Sequence, residues 1–326
     1  MLNINNLIKI DERSITNISE KYGYFPKSRP IDVLLDYGLI LLDKPPGPTS
    51  HEVASWVKKM LEIPKTGHSG TLDPGATGLL PMGLGEGTKA LSVLLLGPKE
   101  YFALARIHSY LDKDKLQTVF EHFIGEIYQR PPQRSSVKRA TRIRNIYELE
   151  ILEQRERLLL IRILCQAGTY IRKLIYDIGE VLGPGATMIE LRRTRVSNLL
   201  ELGGLVRLHD LYDAYQLYKE KKDEDKLRLF VKPIESCLSG IKSIVIRDTT
   251  VDALCHGAPL AIPGIVAMSN SISIGEMVAI YTLKGEVVGL AEASMTSDQI
   301  SQNNKGIACL MKRLIMKPNF YPKGWN

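Results

Sequence analysis

Gly67-His68-Ser69-Gly70-Thr71-Leu72-Asp73-Pro74-Gly75-Ala76-Thr77-Gly78-Leu79-Leu80-Pro81 is the stretch on which the reading of this chain turns. It sets one carboxylate, Asp73, in a glycine-rich loop with a proline directly behind it. Glycines let a second backbone come close, because they carry no side chain to keep it away. Pro74 fixes its own φ and holds Asp73 extended, so the acid is kept out of a helix. Such a loop can present an acid to a bulky substrate, and Asp-Pro-Gly is equally the signature of a plain turn. Gly67-His68-Ser69-Gly70 lacks the Gly-x-Ser-x-Gly spacing of a nucleophile elbow. Gly83-Leu84-Gly85-Glu86-Gly87-Thr88-Lys89 lacks both the Gly-Lys-Ser/Thr of a phosphate loop and the last glycine of a dinucleotide fingerprint.

Outward from the loop, regular elements appear on both sides. Tyr37 to Leu42 is an apolar run and reads as a buried strand. Thr49 and Glu52 have capping-box spacing, and Val53, Trp56, Val57, Met60 and Leu61 form one apolar stripe of a helix, which puts Trp56 in the core. Lys89 to Leu96 reads as a short helix stopped by Gly97-Pro98. Tyr101 to Ile107, Leu158 to Gln166 and Met188 to Val196 read as strands. Leu116, Val119, Phe120, Phe123 and Ile124 mark a helix, as do Leu208, Leu211, Tyr212 and Tyr215. Another helix runs through Ile171, Leu174, Ile175 and Ile178 to Gly183-Pro184-Gly185. From about Ile241 short strands alternate with turn signals, with a hairpin about Lys284-Gly285. The expected class is α+β: a mixed, largely antiparallel sheet flanked by helices, then a small all-β barrel. The domain bounds follow as an arm over 1–30 packed on the C-terminal domain, a main domain over 31–240 and a small domain over 241–326.

At 326 residues and a formal net charge of +7, the chain can build two cores and leans towards a polyanionic partner. Arg130, Arg134, Lys138, Arg139, Arg142 and Arg144 occur around Pro131-Pro132 with no acid among them, which suggests a projecting loop that meets phosphate. The four cysteines lie far apart, without metal-ligand spacing, and read as free thiols in a reducing compartment. No metal site and no membrane span is expected. The start of the chain lacks the layout of a signal peptide, so the reading is cytoplasmic.

Taken in order, five blocks are far more specific than any one of them. They are Leu41-Leu42-Asp43-Lys44-Pro45-Pro46-Gly47-Pro48-Thr49-Ser50, the loop with Asp73, Lys99-Glu100-Tyr101, Gly168-Thr169-Tyr170-Ile171-Arg172 and Leu191-Arg192-Arg193-Thr194-Arg195. This series resembles the TruB family of pseudouridine synthases. Val251-Asp252-Ala253-Leu254-Cys255-His256-Gly257-Ala258 and Lys284-Gly285-Glu286 resemble the PUA domain that the family carries. Ile127-Tyr128-Gln129-Arg130-Pro131-Pro132 and the Leu208 to Tyr215 helix are similar to the dyskerin-like branch, the catalytic subunit of box H/ACA ribonucleoproteins, in its short archaeal form.

The resemblance implies an isomerase that turns uridine into pseudouridine in ribosomal RNA, with transfer RNA as a further substrate and with no cofactor. It implies as partners an H/ACA guide RNA, a substrate RNA and the other H/ACA core proteins. Asp73 is then the catalytic aspartate, acting by attack at the sugar, attack at the base or deprotonation of the sugar. Arg172 pairs with it and keeps it ionised. Tyr101 stacks on the target base and is placed for proton transfer. Tyr170 and Leu191 are further pocket walls, His68 helps hold the flipped nucleotide, and Lys44 contacts phosphate or braces the loop of Asp73. The basic block falls where the family has a thumb loop that clamps RNA, and the C-terminal domain where it grips guide RNA. Two departures stand out: Gly75 replaces a bulkier residue, and Glu86-Gly87-Thr88-Lys89 differs from the usual run. The rival readings are a stand-alone enzyme for the transfer RNA T-arm and a non-catalytic RNA scaffold.

Overall fold

The computed structural model describes residues 6–11, 18–131 and 140–323. Their strands form two sheets. The larger has ten strands, and its central path runs Lys232–Pro233, Gly38–Lys44, Thr77–Leu84, Ala186–Val196, Lys99–Ile107, Leu158–Cys165, Arg142–Arg155, Gly125–Gln129. Along that path the pairing is antiparallel except where Thr77–Leu84 meets Ala186–Val196 in parallel. The mixed sheet follows from the sequence pattern. Leu159, Ile161, Ile163 and Cys165 alternate inwards and are at most 1% exposed. The Ile171–Leu182 helix covers that face with Ile171, Leu174, Ile175, Ile178 and Leu182. Gly179 lets it come down on the sheet: a Cβ there would lie 2.1 Å from the Ala186 nitrogen.

Several elements depart from expectation. Thr49 and Glu52 do form a capping box on the Ser50–Met60 helix. Trp56, however, is 40% exposed, and Ala54 is turned inwards with Val53 and Val57. The buried stripe is too narrow for both flanks, and the small residue takes the side where Thr66 bonds the Ala54 carbonyl. Lys89 to Leu96 is split between a 3-10 turn, Gly85–Leu91, and one α-turn, Ser92–Leu95. Arg142 and Arg144 do not belong to a projecting loop. They open the long strand Arg142–Arg155 and pair with Gln129 and Ile127. Arg130 is exposed at the end of the partner strand, while Arg134, Lys138 and Arg139 lie outside the described residues.

The second sheet has seven strands, in the order Ile8–Lys9, Ile265–Met268, Ser243–Ile246, Met277–Tyr281, Val287–Ala293, Ile307–Leu314, Leu260–Ala261. Ile8 and Lys9 thus extend it from the far end of the chain. Two helices accompany it, Asp248–Cys255 and Ser297–Gln302. The two sheets share a core: Leu39, Leu79 and Ile234 cluster with Val245, Val266, Ala279 and Tyr281. Beside that core Arg29 makes a two-pronged bond to Glu235 at 2.9 and 2.7 Å, and Glu286 accepts from Tyr321 at 2.6 Å. Arg29, Glu235 and Glu286 are each at most 3% exposed. Buried charges in such a network need one another, because removing one leaves the others uncompensated.

Candidate active site

The Asp73 loop is built by ties to residues far away in sequence. The Ala76 N–H donates to the Asp73 carbonyl at 3.0 Å, so Asp73-Pro74-Gly75-Ala76 is indeed a turn. It is a turn held from below. Ser50 bonds both backbone groups of Leu72, its hydroxyl accepting from the Leu72 N–H at 2.9 Å. The Gly47 N–H donates to the Pro74 carbonyl at 2.9 Å. Lys44, fully buried, spends its ammonium on the carbonyls of Pro45, Pro74 and Ala76 at 2.9 to 3.0 Å. A lysine with three donors has none left for phosphate. Lys44 therefore braces the loop from beneath and is not a pocket wall. Burial lowers its pKa, and the charge of Asp73 partly offsets that.

Asp73 itself points outwards. Its side chain is 56% exposed, and its Oδ2 lies 3.6 Å from a guanidinium nitrogen of Arg172, which is 59% exposed. Arg172 stands in the first turn of the Ile171–Leu182 helix, with Tyr170 at the N-cap. Gln129 fixes that entry. It is 2% exposed, accepts from the Tyr170 N–H at 2.9 Å and donates to the Tyr170 carbonyl at 3.2 Å. The Gly168 turn before it packs against the Arg144 guanidinium.

Tyr101 and Leu191 enter from the sheet. Leu191 is buried in the cluster that holds Leu72, Ala76 and Ile171, and Tyr101 packs against the same cluster. Burial raises the Tyr101 pKa, with Arg193 pulling the other way, so the side chain is a neutral phenol at pH 7. His68 ends the Thr66–His68 strand, edge-on to His51 with ring centroids 5.0 Å apart. Burial, then the charges of His51 and Arg193, lower its pKa, so its imidazole is neutral at pH 7. The structure thus sets Arg172 beside Asp73, with Tyr170 capping the same helix, and packs Leu191 and Tyr101 on the cluster that holds Leu72, Ala76 and Ile171, while Lys44 lies under the loop and His68 on the strand before it.

The glycines divide by role. A Cβ on Gly78 would sit 2.3 Å from the Arg193 carbonyl, and its φ is +97°, so this glycine serves the contact with the Ala186–Val196 strand. A Cβ on Gly75 would meet nothing within 4 Å. Room for a second backbone exists at Gly75 and not at Gly78.

Comparison with known proteins matches this geometry to a family. Residues 58–171 match the TruB family pseudouridylate synthase N-terminal domain, and residues 172–239 the tRNA pseudouridylate synthase B C-terminal domain. Residues 242–315 match the PUA domain and residues 2–54 the DKCLD domain. A relative from Methanopyrus kandleri, called probable tRNA pseudouridine synthase B, is 50% identical over 94% of this chain and 90% of its own. One of the same name from Methanothermobacter thermautotrophicus is 46% identical over 98% of both chains. The chain belongs to the TruB family of pseudouridine synthases. Two solved structures are similar throughout. A chain of an H/ACA RNP bound to a substrate RNA containing 2'-deoxyuridine has a TM-score of 0.90 at 42% identity, covering 98% of this chain and 97% of that one. A chain of a Cbf5-Nop10-Gar1 complex has a TM-score of 0.89 at 44% identity, covering 97% and 96%.

In this pseudouridine synthase, residues outside the expected set also hold the backbone around Asp73 and Arg172. Gln129 was legible only as part of a basic block, and Ser50 only as the last residue of the block that begins at Leu41. Arg193 stood in the Leu-Arg-Arg-Thr-Arg block without a role, although it is 2% exposed and bonds the Leu79 and Gly70 carbonyls at the two ends of the loop. Their common signal is a polar side chain at a position where strand or helix periodicity points inwards. Among the described residues no helix is long and apolar enough to cross a membrane, and no cluster has the makings of a metal site.

Proposed function

We propose that this pseudouridine synthase modifies RNA as the catalytic subunit of a guide-directed ribonucleoprotein, with Asp73 as the reacting group. One observation carries the site assignment: an outward-facing carboxylate on a loop braced at Leu72, Pro74 and Ala76, 3.6 Å from Arg172. A catalytic group needs such support, since a small misplacement costs rate. The uridine must leave its stack to reach it, at a cost of a few kcal/mol returned by contacts in the pocket. Tyr101, Tyr170 and Leu191 supply those contacts.

The chemistry breaks the bond between N1 and the sugar and joins C5 to the same sugar carbon. The C5 proton leaves to solvent and N1 gains one, so the reaction is an isomerisation. Asp73 serves as the nucleophile or base that opens this exchange, and Arg172 compensates its charge once RNA covers the site and removes the water around both. Tyr101, a neutral phenol, is a donor rather than the resting base. Arg130 and the basic residues Arg134, Lys138, Arg139, Arg142 and Arg144 meet RNA phosphate. Guide RNA, substrate RNA and the other H/ACA core proteins are the partners, on the likeness to the H/ACA structures over nearly the whole chain. Free, buried thiols at all four cysteines agree with work in the cytoplasm.

A second reading, a stand-alone transfer RNA enzyme, is favoured by the names of the curated relatives. Uridine tritiated at C5 separates the two. Label release from a substrate RNA only with a matching guide and partner proteins supports the guided reading. Equal release from transfer RNA alone, unchanged by guide, supports the stand-alone one. No release in either assay overturns the catalytic assignment and leaves an RNA scaffold.

A further inference from the structure

We propose, resting on the pseudouridine reading of the site, that Gln129 is a positioning residue: by gripping the backbone of Tyr170 it stations Arg172 beside Asp73.

Arg172 is not placed by bonds of its own. Its side chain is long and 59% exposed, and among the described residues its ion pair is the 3.6 Å contact to Asp73. The backbone that carries Arg172 must therefore set where the guanidinium can go. That backbone leaves the Leu158–Cys165 strand and turns through residues 166–170 into the Ile171–Leu182 helix.

The two ends of this turn are held by different strands. At its start the Gln166 N–H donates to the Asn145 carbonyl at 2.8 Å, and the Gln166 side-chain oxygen accepts from the Asn145 N–H at 3.1 Å. Asn145 belongs to the Arg142–Arg155 strand. In between, the Thr169 hydroxyl donates to the Gln166 carbonyl at 2.7 Å, and Gly168 has a φ of +80°. At its end Gln129, the last residue of the Gly125–Gln129 strand, bonds both the N–H and the carbonyl of Tyr170. That carbonyl also accepts from the Leu174 N–H at 3.0 Å, which is the first bond of the helix. Gln129 thus holds the peptide from which the helix starts, two residues before Arg172.

The residue type fits this task better than it fits packing. A carboxamide sets a donor and an acceptor side by side, so one side chain can serve both groups of one residue. Ile127, on the same face of that strand, packs against the apolar cluster under the helix. Gln129 takes the next inward position and is 2% exposed. An apolar side chain would fill that place without the cost of burying polar atoms. Loss of the carboxamide leaves the start of the turn on Asn145 and the helix on its apolar face. The end of the turn, with Arg172 behind it, becomes free to shift.

The test is a double-mutant cycle on the assembled ribonucleoprotein, read by single-turnover release of tritium from C5. Gln129→Met, close in length and shape, should slow the step about tenfold to 100-fold, the scale of a 1 Å misplacement. RNA affinity should stay within about threefold, near the margin of an ordinary surface change. In an Arg172→Ala background the same substitution should cost under about threefold, because the group it places is gone. Losses that multiply in the double variant, or a fall in RNA affinity that matches the fall in rate, would overturn the proposal. Should Gln129→Met fail to fold, Gln129→Asn carries the same cycle: it keeps the amide but is one carbon too short to reach both groups of Tyr170. A second readout needs no activity. In a crystal structure of the variant the Arg172 guanidinium should leave its contact with Asp73, and an undisturbed contact overturns the proposal. Absence of label release from the wild-type protein instead counts against the pseudouridine reading, so the two failures are distinguishable.

Discussion

The Asp73 carboxylate and the Arg172 guanidinium stand 3.6 Å apart with more than half of each side chain open to solvent. An exposed pair of this kind contributes about 0–1 kcal/mol to the fold. On the proposed function its value lies in what happens when RNA covers it. Asp73→Asn and Arg172→Ala should therefore melt within about 2–4 °C of the wild type, while label release falls by a factor of about a thousand or more for Asp73→Asn. Calorimetry and the tritium assay on the same preparations check this. A large loss of stability would mark the pair as structural.

Lys44 should behave in the opposite way. Its substitution by methionine strips donors from the carbonyls of Pro45, Pro74 and Ala76. Unsatisfied buried groups cost about 1–3 kcal/mol each, so a clear drop in midpoint by urea denaturation is expected. If Lys44 instead met phosphate, the midpoint would hold and the salt dependence of RNA binding would flatten.

Gly75 and Gly78 separate space from strain. Gly78→Ala must push the Arg193 carbonyl away and adopt a left-handed backbone, a loss of about 1–3 kcal/mol. Gly75→Ala meets nothing and should stay within about 0.5 kcal/mol of the wild type. Equal melting of the two variants would contradict the loop geometry.

Lys99 gives a pH signature. It is 6% exposed, its ammonium held by the carbonyls of Leu94, Leu95 and Gly97 at 2.7 to 3.0 Å. Burial, with the charge of Arg193 adding to it, pushes its pKa down to about 8. An unfolded lysine titrates near ~10.4. Between these values the unfolded chain binds a proton that the native one lacks, so the stability linked to Lys99 rises with pH across that window. It is lost as pH falls through about 8. Wild type should gain on Lys99→Met between about pH 8 and about pH 10 in urea melts, by an amount on the order of a few kcal/mol. A constant gap would mean that Lys99 stays charged.

Replacing Arg130, Arg134, Lys138 and Arg139 by glutamine should weaken RNA binding and shallow its slope against log salt by about 0.7–0.9 for each phosphate contact removed. Filter binding across a salt series measures it. An unchanged slope would take these residues off the RNA path.

Much of this was legible in the linear chain because it depends on local rules. The Thr49–Glu52 box starts a helix wherever it stands, and the alternation of Leu159, Ile161, Ile163 and Cys165 names the buried side of its strand without any partner. Errors came where burial was shared out between elements. Trp56 and Ala54 both flank the apolar stripe, and only the approach of Thr66 decides which one turns inwards. Arg142 and Arg144 look like part of a projecting loop until the Gly125–Gln129 strand pairs with them.

By itself the sequence determined the acid, its proline-locked turn and the order of the blocks that name the family, since these are properties of neighbours along the chain. Tertiary structure alone decided what holds that acid in place. Lys44 bonds residues 30 and 32 positions away, and Arg193 reaches back 114 and 123 positions to the loop. A buried cation is tolerable only where distant carbonyls converge on it, and that convergence exists only once the sheet has formed.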